Sequence, residues 1–158
     1  MSLSQELAAL FRRDLTQLVR QIAAFRTTSD LWIKPEGAGN SVGNLALHLN
    51  GNLREYIGRQ LGNAAYIRYR DLEFEAMGDS IETLMGKIEP LPELICGIVS
   101  GLSSETLDSL YPENVLGIPL TTRQFLIHLL SHLNYHLGQI DAIRRIVTQG
   151  EAISSVGL

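Results

Sequence analysis

The stretch from Thr121 to Gly150 constrains this chain more than any other. Phe125, Leu126, Leu129, Leu133, Ile140, Ile143, Ile146 and Val147 recur there at three- and four-residue steps, which is the period of one helix face. Thr121 with Gln124 has the spacing of a capping box, and Gly150 is placed to end the helix. An amphipathic helix of this kind must bury its apolar side against other elements.

Three further stretches answer that requirement. From about Ser2 to Arg26, Leu3, Leu7, Leu10, Phe11, Leu15, Leu18, Ile22 and Phe25 keep a helical step, and Ser2 with Gln5 fits another capping box. After a loop holding Pro35, Gly37 and Gly39, a second helix is expected to start at Asn40 or Ser41. It buries Val42, Leu45, Leu49, Leu53, Tyr56 and Ile57, with Gly62 as its terminator. A third begins near Asp79 or Ser80 and runs through Leu102, but Pro90 and Pro92 interrupt it, which predicts a kink or two short helices. The connection Gly62–Asp79 is long for a bundle, and its segment Arg70-Asp71-Leu72-Glu73-Phe74-Glu75 alternates charge with apolar residues, a pattern read as partly extended. Leu107–Leu120, with Pro112, Gly117 and Pro119, reads as a short irregular hairpin before helix four. The expected fold is all-α: a four-helix bundle forming one domain over residues 1–158.

Composition removes several function classes. One cysteine, Cys96, excludes an internal disulfide and any zinc module that needs two or more thiolates. A net charge of −4 with no basic stripe gives nucleic-acid binding no support. No apolar run reaches the roughly 20 residues of a membrane span, and the first residues, Met-Ser-Leu-Ser-Gln-Glu, lack a signal layout. The expectation is a cytoplasmic protein with no membrane partner.

Histidine placement carries the chemistry. All four histidines lie on helices two and four. His128, His132 and His136 follow at four-residue steps, so neighbouring rings share one helix face bracketed by the buried Leu129, Leu133 and Ile140. A buried imidazole needs partners for both nitrogens. A metal ion serves one and a second acceptor the other. His48, mid-helix among Leu45, Leu49 and Tyr56, is the remaining candidate for a third ligand. A lone histidine on an apolar face is more often a core residue satisfied by hydrogen bonds, and that reading stands open for His128. Leu133 and Asn134 follow His132, so there is no His-Glu-x-x-His protease helix. Glu-x-x-His is absent as well, which disfavours a carboxylate-bridged di-iron bundle. Cys96, among Ile95, Ile98 and Val99, reads as a core thiol.

Taken together, the elements resemble the DinB/YfiT-like superfamily. His132-Leu-Asn-Tyr135-His136-Leu-Gly138-Gln139-Ile140 is similar to its His-x-x-x-His-x-Gly-Gln signature, and Asn40-Ser41-Val42-Gly43-Asn44-Leu45-Ala46-Leu47-His48-Leu49 is similar to its second helix. Arg70-Asp71-Leu72-Glu73-Phe74-Glu75 resembles a stretch of its small bacterial members. The resemblance spans nearly the whole chain. It implies a divalent metal, zinc or nickel first and iron next, held by His48, His132 and His136. Members of the superfamily include transferases and isomerases that use bacillithiol, mycothiol or glutathione, with the metal activating the thiol. The expected function is therefore a metal-dependent transferase or hydrolase of small molecules, with a low-molecular-weight thiol as the candidate partner. The alternative is a stress-related protein that binds metal or ligand without turnover. Many members carry an additional histidine and an arginine around the last ligand; here Tyr135 and Leu137 flank His136, which leaves one fewer fixed cation.

Around the three ligands, Asn44 and Asn52 lie one turn either side of His48 as candidate acceptors for its free N–H, Gln139 lies near the face of His132 as an orienting group, and Tyr56 and Tyr135 are candidate proton donors. His128 is either a base beside the ligands or core. A homodimer is expected, with Trp32, Ile33 and the adjacent glycine-rich loop as its candidate surface.

Overall fold

The protein is described by a computed structural model covering residues 1–154 and 157. Its long helices start at the hydroxyls that the sequence offers. Ser2, Ser41, Ser80 and Thr121 each accept from the backbone N–H three residues on, and Ser2 and Thr121 complete capping boxes with Gln5 and Gln124. Each cap satisfies donors that the first turn leaves unpaired.

Helix α1 (Leu3–Ala23) is followed by a single turn, α2 (Thr28–Leu31). Helix α3 (Val42–Leu53) continues as a π-helical stretch (Arg54–Arg59) and a last turn (Gln60–Gly62). The connection that follows contains α4 (Arg70–Glu75). The third wall of the bundle is α5 (Ile81–Ile88) and α6 (Leu91–Ser100), broken at Glu89-Pro90 as the prolines predict. A short α7 (Ser104–Asp108) precedes α8 (Thr122–Thr148). Among the described residues there is no β-strand; the expected hairpin shrinks to one antiparallel bridge between Leu110 and Thr121.

Helix α1 packs against α6 and α8, α3 packs against α8 and α4, and the π-helical stretch packs against α6. The four walls close around one contiguous apolar core in which Phe11, Leu15, Leu18, Leu49, Leu53, Leu84, Leu91 and Leu133 are fully covered. Each such side chain stabilises the fold by about 1.5–3 kcal/mol relative to exposure. Among the described residues, no helix is long and apolar enough to cross a membrane.

Helix α3 is buried along its whole length, from Val42 to Leu53. Its sequence, Val-Gly-Asn-Leu-Ala-Leu-His-Leu-Asn-Gly-Asn-Leu, carries no formal charge, so polar amides and one imidazole enter the interior. Two glycines let neighbours approach closely. The Trp32 ring lies on Gly43, 2.7 Å from where a Cβ would stand, and its Nε1 donates to the Asp79 carbonyl at 3.0 Å. Trp32 is thus engaged within the chain, and of the two residues suggested for a dimer surface only Ile33 is exposed.

Three local expectations are corrected. Asn63, not Gly62, takes the left-handed conformation that ends the α3 run, while Gly62 sits against Ile98 where a Cβ would not fit. Gln149, one residue before Gly150, does the same after α8. Residues 70–75 are helical rather than extended, and they bury Glu73 instead of presenting alternating charge to solvent.

Candidate metal centre

Helices α3 and α8 bring three of the four histidines together. His48 Nε2 lies 3.2 Å from His132 Nε2, and His136 Nε2 lies 3.1 Å from the same atom. One nitrogen from each ring falls within 4.8 Å of the others. His48 is buried and the other two are partly covered.

The outer nitrogens of two rings are fixed by acceptors. His48 Nδ1 donates to Glu73 Oε2 at 2.9 Å. Glu73 is 6% exposed and is held by Arg68 through Nε to Oε1 at 2.7 Å and Nη2 to Oε2 at 2.8 Å. Burial alone would raise the Glu73 pKa; the bonds from Arg68 and His48 outweigh it and keep the carboxyl below its usual range. His136 Nδ1 donates to Gln139 Oε1 at 2.7 Å, and Gln139 in turn reaches the Tyr135 hydroxyl at 3.4 Å.

These partners dictate the tautomers. With Nδ1 protonated on His48 and His136, both Nε2 atoms present lone pairs toward His132. Burial first, then the neighbouring imidazoles, pulls the His132 pKa down to about 4, so this ring is neutral near pH 7. One proton on His132 Nε2 must then serve two acceptors, and His132 Nδ1 is buried with no hydrogen-bond partner. Three rings therefore converge with a deficit of protons between them, an arrangement that suits a shared cation better than it suits hydrogen bonding. Two nitrogens each about 2.0–2.1 Å from one tetrahedral zinc ion lie roughly 3.3 Å apart, close to the separations found. The residues present fit a divalent metal.

Other expected groups fall into place differently. Asn44 does not accept from His48; its amide donates to the carbonyls of Glu73 (3.1 Å) and Ala76 (2.9 Å), fastening α4 over the site. Asn52 Oδ1 is buried and has no partner. The role suggested for both amides belongs to Glu73, whose contact with His48 spans 25 positions and so leaves no local sequence pattern. Its signal was faint: a lone carboxylate inside the Arg70–Glu75 motif. Arg68, paired with Glu73, is the cation found at the site; its Nη2 lies 3.4 Å from His48 Nδ1 and its guanidinium covers the Tyr56 ring at 5.5 Å. Tyr56 also meets Phe125 edge-on at 5.5 Å, and its carbonyl accepts from the Tyr111 hydroxyl at 2.7 Å. Tyr135 is exposed, with its ring 5.2 Å from that of His136. His128 stands apart from the triad. It stacks on Phe125 at 5.8 Å, and its ring centre is 6.2 Å from that of His132.

Comparison with known proteins agrees with this architecture. The crystal structure of a DinB-like protein from Bacillus cereus ATCC 10987, at 2.01 Å resolution, superposes with a TM-score of 0.66 and 15% identity, over 92% of this chain and 91% of that one. That likeness concerns the fold. No curated protein matches the sequence. The profile of the DinB superfamily matches residues 8–140, which include all three converging histidines, and the chain belongs to that superfamily.

Proposed function

We propose that His48, His132 and His136 bind a divalent metal ion, zinc or nickel in first place and iron next, and that the protein is a metal-dependent enzyme acting on small molecules. The transfer of a group to a low-molecular-weight thiol is the reaction we favour, with hydrolysis the related option. The observation that carries the reading is the convergence of three Nε2 atoms, two of them with their outer nitrogens fixed by Glu73 and Gln139.

A divalent ion in such a site supplies Lewis acidity that lowers the pKa of a coordinated thiol or water. The chain's own residues prepare for this. Glu73 fixes His48 as its Nδ1–H tautomer, and Gln139 does so for His136. Arg68 keeps Glu73 ionised and balances its charge. Neutral imidazole ligands would leave the charge of a bound divalent ion uncompensated, which would favour an anionic group at the centre. His128, 6.2 Å from His132, is the nearest further imidazole that could exchange a proton with a bound molecule.

Metal analysis of protein purified without a histidine tag tests the first half. About one equivalent is expected, and His132→Ala should lose it; a metal-free wild type after loading and desalting would end the proposal. A screen of cellular thiols against an electrophilic acceptor tests the second half. Turnover with one thiol class supports the transferase. Tight metal binding with silence across thiols favours a binding role, which His128 stacked on Phe125, rather than poised against the triad, would accommodate.

A further inference from the structure

We infer that Arg70 is the recognition group for a carboxylate on the small molecule that this protein binds. The surface holds an open cleft of about 530 Å³ whose wall includes Glu55, Tyr56, Arg59, Arg68, Arg70 and Glu113, a size suited to a small organic ligand. Two of its arginines are committed. Arg59 pairs with Glu55 and Glu113, and Arg68 forms two bonds to Glu73. Arg70 makes no hydrogen bond or ion pair with any described residue. It is the free cation of this wall.

Its position is nonetheless defined. The Arg70 guanidinium lies over the Phe74 ring at 5.3 Å, and that ring lies 4.9 Å from the ring of His48. Attraction to the aromatic face restrains the guanidinium and leaves its N–H groups free for a ligand. A single free fork of that kind matches one carboxylate through two parallel bonds. Phosphate sites usually assemble several donors, and the other two arginines of the cleft are occupied. Arg68 joins the cleft to the metal centre, since it both lines the one and lies 3.4 Å from His48 Nδ1 in the other. A molecule anchored by its carboxylate at Arg70 would therefore lie along the Arg68 wall of the cleft, the part of it nearest the triad. What happens to it there rests on the metal reading; the anchoring itself does not.

The test uses succinate and its neutral analogue succinamide as probes, with the Arg70 Nε–Hε resonance as the readout in both metal-free and zinc-loaded protein. Succinate should move that resonance saturably and succinamide should not. Arg70→Gln should bind succinate at least about 10-fold more weakly, the loss expected for one charge-assisted pair. Arg70→Lys should fall between, because the charge remains and the fork does not. Phe74→Leu, which removes the aromatic face beneath the guanidinium, should weaken binding while leaving the charge in place. Equal responses to the two probes, or unchanged succinate affinity in Arg70→Gln, would overturn the assignment. Succinate binding at Arg70 in a protein that takes up no zinc would sustain this inference and remove the metal reading.

Discussion

The Glu73 carboxylate occupies the space that a side chain on residue 51 would need. Gly51 lies one turn from His48 along α3, and a Cβ there would overlap Oε1 of Glu73 and come within 3.3 Å of Arg68 Nε. A glycine in a helix interior usually costs about 0.5–1 kcal/mol relative to alanine, so its presence in a fully buried turn reflects this contact. Gly51→Ala should displace Glu73 and release the outer nitrogen of His48. Chelator competition should show metal affinity falling about 10–100-fold, the usual effect of losing a ligand's supporting partner. Unchanged affinity would separate Glu73 from metal binding.

Gly86 and Gly97 provide the contrast. Both lie inside helices, are exposed, and have open space where a Cβ would go. Gly86→Ala and Gly97→Ala should each raise stability by about 0.4–1 kcal/mol, read from denaturant midpoints, with metal affinity unaltered.

The same contrast explains what was legible in the sequence. Helix starts are local events, so Ser2, Ser41, Ser80 and Thr121 could be read from residues three apart, and Pro90 with Pro92 marked the break in the third wall. His132 and His136 are neighbours on one helix, and His48 followed as the remaining histidine on a buried face. Glu73 could not be reached this way. It lies in a six-residue helix, too short to show a period, and its burial is set by Gly51 and by the two carbonyls that bind Asn44. Alternating charge in residues 70–75 therefore read as extended chain.

Replacing Glu73 itself separates charge from shape. Glu73→Ala strips the largely covered Arg68 of its counter-ion, and breaking a buried pair costs up to about 3–5 kcal/mol. Glu73→Gln retains an acceptor for His48 while removing the charge that holds Arg68, so its thermal unfolding should lie between wild type and Glu73→Ala. Arg12 and Glu93 form the opposite case: they approach to 2.5 Å with side chains 48% and 80% exposed. Glu93→Gln should leave thermal unfolding nearly unchanged. Equal losses at Glu73 and Glu93 would contradict the burial argument.

Cys96 should be silent in the native protein. It is 3% exposed, its Sγ donates to the Ala8 carbonyl at 3.3 Å, and burial pushes its thiol pKa up. A raised pKa means less thiolate at any given pH, and thiolate is the reactive form. Alkylation by iodoacetamide at pH 8 should then proceed far more slowly than for a free cysteine, and denaturant should restore the ordinary rate. Rapid native labelling would place a reactive thiol where the fold shows a core residue.

Metal addition should appear as stability. A ligand that binds only the native state at 100 times its Kd adds about 2.7 kcal/mol, which is roughly 5–10 °C in Tm for a domain of this length. Zinc should raise the Tm of chelator-treated protein by that order, and a chelator should reverse it. His132→Ala, which removes the ring that both other histidines face, should abolish the shift. His128→Ala should preserve it, because that ring stacks on Phe125 outside the converging set. Equal loss of the shift in both variants would make His128 a ligand and require the triad to be redrawn.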